Sequence, residues 1–160
     1  MHPLHKILIR RAMAGMLAVS ALLARRAWLQ PASFVWSRGL AALTVRRKGI
    51  RPTADLAALG QAWQRGFPSA KQVPITAITA DTVHARIETP CPLRGSGRTQ
   101  ACWRMMEYDR AVVHAAGGQF VVLQSQAEPG VTACHVALRR ADASIGDLQP
   151  AHLRAPDPIS

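Results

Sequence analysis

The sequence predicts an α+β fold: a four-stranded antiparallel sheet built of two hairpins, covered by helices, with a basic helical arm in front. Three observations carry this. After Thr53 the local signals run helix, hairpin, helix, hairpin, which gives an antiparallel rather than a parallel, doubly wound sheet. Each hairpin is a pair of β-branched runs around turn residues. Finally, charge divides the chain into an arm and a module. Residues 1–51 contain ten Lys and Arg and no Asp or Glu, whereas the remainder is nearly balanced.

The net charge of +11 therefore belongs to the arm, and an anionic partner would meet the arm and not the module. With 160 residues, 49% of them hydrophobic, the chain suffices for one core. We divide it into a basic amphipathic helical arm (1–51), an α+β module (52–141) and a poorly ordered tail (142–160).

The arm opens like an export signal, with Lys6, Arg10 and Arg11 before the apolar run 12–24. That run is 13 residues long, short of the roughly 20 needed to span a bilayer. Arg25 and Arg26 close it where a cleavage region would be polar and small. At helical spacing Ile9, Met13, Met16, Val19, Leu23 and Ala27 share one face, and Arg10, Arg11, Arg25 and Arg26 lie on the other side. Two readings follow: a helix packing this stripe on the module, or a helix lying in an anionic membrane interface with Trp28, Phe34 and Trp36. A second apolar segment, 34–45, leads into Arg46-Arg47-Lys48-Gly49 and a linker through Pro52. Only Trp36 lies near that basic cluster, too little aromatic stacking for a nucleic-acid groove.

In the module Thr53 is a candidate N-cap, Leu56, Leu59 and Trp63 form a stripe, and Gly66 with Pro68 ends the helix. Runs 73–78 and 82–89 flank Ala80-Asp81 as the first hairpin, with Pro74 suited to an edge. Residues 90–97 hold two prolines and two glycines and must form a loop. Thr99 can cap a single helix to about Ala116, ended by Gly117-Gly118. Runs 119–126 and 131–139 flank Glu128-Pro129-Gly130 as the second hairpin.

Three cysteines, none close in sequence, do not make a disulfide framework, and a reducing compartment is the simpler expectation. They form no C-x-x-C pair; a divalent metal on all three would need a fourth ligand from His135, Asp109 or water. Strand alternation and helical spacing turn Cys91, Cys102 and Cys134 toward one core. Cys102, in the first turn of its helix beside Arg98 and Arg104, is the candidate nucleophile. Asp109 shares the stripe of Cys102, Met106 and Val113, where a carboxylate needs a partner. Candidates are Arg86, His84, His135 or the amides near Gly95. Seven helical residues rise about 10.5 Å, so Cys102 and Asp109 can cooperate only through a ligand, water or metal. The opposite stripe, Trp103, Glu107, Arg110 and His114, reads as a solvated face with a Glu107–Arg110 pair.

The segments Cys91-Pro92-Leu93 and Met105-Met106-Glu107-Tyr108-Asp109, with Cys134 following the Pro129-Gly130 turn, resemble the bacterial L-2-amino-thiazoline-4-carboxylate hydrolase-like family. The resemblance spans about residues 55–140. It implies a compact fold of the 4-vinyl reductase type of small-ligand domain, with a cysteine-bearing pocket. Family members often have a Cys directly before the Glu-x-Asp step; here Met106 stands there, and Cys102 lies one turn earlier.

Two functions are thus expected. One is a small-ligand domain, in its catalytic form a hydrolase of a cyclic amide-like or thiazoline-like substrate. Cys91, Cys102 and Asp109 would be catalytic, and Arg94, Gly95, Gly97, Cys134 and His135 would contact the ligand. The other is a non-catalytic module held at an anionic membrane surface by its arm. Either would be cytoplasmic, the second peripheral at the inner membrane.

Overall fold

The computed structural model describes residues 3–154, and side chains from Ala12 onward except Met13. In chain order the elements are α1 (Pro3–Ala24), α2 (Gln30–Lys48), α3 (Leu56–Gln64), β1 (Ile75–Ile78), β2 (Val83–Ile87), α4 (Thr99–Met105), α5 (Glu107–Ala115), β3 (Gly118–Gln124) and β4 (Cys134–Arg140). Short 3₁₀ turns cover Ala27–Leu29, Ala70–Gln72 and Ala151–Leu153. The four strands form one antiparallel sheet in the order β1-β2-β4-β3, so the predicted α+β class holds and the two hairpins join through β2 and β4.

Register fixes the buried face. Val83, Ala85 and Ile87 of β2 stand opposite Leu138, Val136 and Cys134 of β4, and β3 adds Phe120 and Val122 beside Leu138 and Val136. These alternate residues are buried, as side chains of period two require when one face meets a core. Leu59 and Trp63 of α3 and Val112 and Val113 of α5 complete that core. The sheet and α3 approach so closely at Gly118 that a Cβ there would lie 2.7 Å from the Arg139 carbonyl and from Leu59. β1 is the edge strand, bulged between Ile75 and Ala77 directly after Pro74.

Several local expectations change. The cap of α3 is Asp55, which accepts from the Ala58 amide at 2.7 Å; the Thr53 hydroxyl instead donates to the Ala116 carbonyl. The single helix expected from Thr99 breaks at Met106, where ψ is 8°. Arg98, not Thr99, holds the N-cap position of its first half. Glu107 then opens α5 with two acids in its first turn, favourable at the positive end of a helix, and the Arg110 guanidinium covers the Trp103 carbonyl at the break (2.7 Å).

The arm's helices lie on the module. Phe34 of α2 meets Trp103 edge to face, Arg38 donates to Glu107 at 2.5 Å, and the Thr44 hydroxyl meets that of Tyr108 at 3.1 Å. The Arg104 side chain, buried under α1, donates to the Ala24 carbonyl at 2.7 Å. Consequently Glu107 is buried and Trp103 half-buried, so the first part of the stripe expected to be solvated is an interface, while His114 is exposed as expected and the Glu107–Arg110 pair forms (2.9 Å).

Residues 142–154, expected as part of a loose tail, are tied down. Asp147 receives the Arg139 guanidinium at 2.5 and 2.7 Å, Gln100 donates to the His152 carbonyl, and Arg154 reaches Leu123 and Glu128. The physical reason is Arg139, an outward residue of β4 whose buried charge requires a cover. The rest of the expected tail, residues 155–160, lies outside the described residues.

Candidate functional site

The three cysteines stand on the 90–97 loop, α4 and β4: Cys102 and Cys134 are buried, and Cys91 is half-buried, its sulfur accepting from the Leu93 amide at 3.4 Å. All three are free. Cys102 and Cys134 lie in one buried core and Cys91 packs against it, the placement expected from strand parity and helical spacing. Contact with Cys134 and burial hold the Cys102 thiol well above its usual pKa. The Cys134 sulfur, in contact with Cys102 and accepting from the Gln126 amide (3.3 Å), is drawn below the usual value. Burial raises Cys91. Contact with Cys134 and then desolvation oppose the thiolate expected from Arg98 and Arg104 nearby in the sequence.

Asp109 lies in the core, 6% exposed, and its partner is none of the four expected. Trp63 Nε1 donates to Asp109 Oδ1 at 2.8 Å. Burial moves the carboxyl pKa from 3.8 to about 6, opposed by the Trp63 bond, Arg110 and the helix backbone. The indole was legible in the Leu56, Leu59, Trp63 stripe, and a buried N–H that must find an acceptor was the available signal.

The loop residues serve the fold. Gly95 and Gly97 have left-handed backbones (φ 64° and 68°), which glycine adopts without penalty. Their amides donate to the Gln126 and Ala127 carbonyls at 2.8 and 2.7 Å, so the close approach read from these glycines is to the 125–127 backbone. Arg94 is spent on Gln126 Oε1 and the Thr132 carbonyl. His135 is exposed on the other sheet face from Cys134, because neighbours in a strand point oppositely; it does not join the thiols.

Gln126, which carried no sequence signal, organises the site. Fully buried, it accepts from the Cys91 amide and Arg94 through Oε1 and donates through Nε2 to the Ile87 and Thr89 carbonyls, each at 3.0 Å. The Ser125 hydroxyl accepts from the Ala127 amide at 3.0 Å. A cavity of about 190 Å³ opens on this corner, lined by Cys102, Trp103, Phe120, Ser125, Ala151 and His152. A larger open hollow, about 680 Å³, lies away from the thiols, against Asp55, Ile78, Asp81, Arg140 and Asp142.

Among the described residues no three His, Cys, Asp or Glu side chains are grouped to hold a metal ion, and no helix is long and apolar enough to cross a membrane. No protein-family model, curated protein or solved structure matches the chain.

Proposed function

We propose that the protein is a non-catalytic binding module that rests on an anionic membrane surface through α1 and α2. One observation carries this reading: the fully buried positions of the helical pair are small residues, and six large apolar residues of the same segment face outward. The buried positions are Ala21 and Ala24 of α1 and Ser33, Ser37 and Ala41 of α2. Exposed on the same pair are Met16, Val19, Leu22, Trp28, Val35 and Leu43, six of the nine large exposed hydrophobics among the described residues.

Met16 and Val19 belong to the stripe that a packed helix would have turned inward, and the sequence-predicted members Ile9 and Met13 have side chains outside those described. Leu22, Trp28 and Val35 are 65%, 76% and 75% exposed. Such concentration marks a surface that meets a partner. The charges around it, Arg25, Arg26, Arg46, Arg47 and Lys48, are exposed and of one sign, which suits anionic headgroups around an interfacial apolar face. Full burial of Trp28, Leu22 and Val35 would contribute about 1.5–3 kcal/mol each.

Vesicle co-sedimentation tests this with the full chain. Binding is expected to vesicles containing phosphatidylglycerol, to weaken at high salt, and to fall at least tenfold in a Leu22→Ser, Trp28→Ser, Val35→Ser variant that keeps its circular dichroism. Equal binding by the variant would overturn the reading, as would a stable dimer formed through this face without lipid.

The hydrolase reading draws support from the cavity at Cys102. The upward shift of the Cys102 thiol and the engagement of Asp109 by Trp63 weigh toward binding rather than catalysis.

A further inference from the structure

We propose that the cavity between α4, β3 and the segment after β4 binds a small monocarboxylate with a hydrocarbon body, held through its carboxylate by Arg110. The space is about 190 Å³. An apolar cavity of about 150 Å³ takes up benzene, so this one accommodates a molecule of about nine non-hydrogen atoms. Sites for drug-sized ligands begin at about 300 Å³, which leaves a nucleotide or a similar cofactor without room. Phe120 and Val122 of β3, Trp103 of α4, and Ile145 and Ala151 beyond β4 give the cavity apolar walls, and such walls suit a ring or a branched hydrocarbon.

The charge of the site is carried by Arg110, and among the described residues no Asp or Glu lines the cavity. Glu107 accepts from Arg110 Nε at 2.9 Å but also from Arg38 at 2.5 Å. One carboxylate between two guanidinium groups leaves a net positive charge. Arg110 Nη2 is spent on the Trp103 carbonyl (2.7 Å) and on Glu107 (2.9 Å), whereas its Nη1 makes no hydrogen bond among the described residues. That nitrogen is the donor left for a ligand. The guanidinium also lies over the Trp103 ring, 4.8 Å from its centre, so it is held in place before a ligand arrives and little ordering is needed on binding. His152, which lines the same cavity, has its pKa lowered by burial and then by Arg110; it adds no second positive charge at neutral pH.

This arrangement discriminates by charge. A carboxylate gains a charge-assisted hydrogen bond from a guanidinium already in position. A neutral molecule of the same shape gains only the apolar contact, and an amine is repelled by Arg110. The site uses no residue of the exposed apolar face of α1 and α2 and needs no lipid, so it stands or falls independently of membrane binding.

The test is a fluorine NMR titration of the reduced full chain, without lipid, using para-fluorobenzoate, para-fluorobenzyl alcohol and para-fluorobenzylamine as probes. The benzoate should bind at least tenfold more tightly than the alcohol or the amine. Arg110→Gln should lower benzoate affinity at least tenfold and leave that of the alcohol within twofold, a split that a merely structural role would not produce. On the unaltered protein, saturating benzoate should slow iodoacetamide labelling of Cys102, which lines the cavity, at least fivefold. Cys91, which does not line it, should be labelled at an unchanged rate; mass spectrometry reads both. No binding of benzoate, equal binding of the alcohol, or equal slowing at Cys91 would overturn the site. The labelling pattern needs no substitution, so it decides the matter even where Arg110→Gln fails to fold.

Discussion

Trp63 and Asp109, 46 residues apart, are joined in the core by a 2.8 Å hydrogen bond from the indole to the carboxylate. That bond links α3 to α5, and it opposes without cancelling the cost of burying the carboxylate. The folded carboxyl titrates at about 6 against an ordinary 3.8. Between these values the folded state holds a proton that the unfolded state has lost, so this group's contribution to stability falls as pH rises from 3.8 to about 6. Above both, the full penalty is present, roughly 3 kcal/mol.

Asp109→Asn keeps an acceptor for Trp63 and removes the charge. Chemical denaturation at pH 7.5 should find the variant more stable than the parent by about 1–3 kcal/mol, with the difference shrinking toward pH 4. A variant less stable at pH 7.5 would mean that the carboxylate is better solvated than its burial implies.

Gln126→Leu should be among the most damaging single changes in the molecule. The side chain is fully buried, and its removal strips partners from the Ile87 and Thr89 carbonyls, the Cys91 amide and the Arg94 guanidinium together. Each unsatisfied group costs about 1–3 kcal/mol, so a loss of at least 3 kcal/mol is expected. Thermal unfolding measures it, and early proteolysis within 90–97 would show that the loop loosens first.

What the sequence made legible were the features governed by periodicity. Val83, Ala85 and Ile87, and Cys134, Val136 and Leu138, declared their inward face by alternation, and from this the burial of Cys134 followed. Cys102, Met106, Asp109 and Val113 are all buried as their spacing required, even though the helix breaks among them. Contacts made across long sequence distances left no such trace. Nothing local tells Trp63 that Asp109 is its acceptor, or makes Gln126, one polar residue at the end of an apolar run, the hub of a loop. Exposure on the arm was ambiguous for a related reason: an apolar stripe looks the same in sequence whether it packs on protein or faces outward. The small residues Ala21, Ala24, Ser33, Ser37 and Ala41, with Phe34 against Trp103, identify the side that packs.

Gly118→Ala tests the closeness of sheet and helix. The added methyl would stand 2.7 Å from the Arg139 carbonyl and 2.7–2.8 Å from the Leu59 methyls. The leucine can turn, but the carbonyl belongs to the β3–β4 ladder and cannot yield without disturbing it. Overpacking of this kind costs about 1–3 kcal/mol, measurable as a lowered denaturation midpoint. An unchanged midpoint would show that β3 and α3 stand further apart than described.

The segment after β4 should depend on one ion pair. Arg139 has a side chain only 7% exposed, held by the Thr82 hydroxyl (2.7 Å), the Ser144 carbonyl (2.5 Å), Asp147 and, more distantly, Asp81 (3.4 Å). Asp147→Asn preserves size but takes away the carboxylate that draws residues 144–147 over the sheet. The core beneath does not use that carboxylate, so the expected result is local. Hydrogen exchange followed by mass spectrometry should show protection in 144–153 falling at least tenfold, with β2 and β4 little changed. Because His152 stacks against Trp103 at 5.3 Å and lines the cavity at Cys102, the same variant should also alkylate faster at Cys102. Faster alkylation without loss of protection in 144–153 would separate the cavity's access from the tail and refute the link.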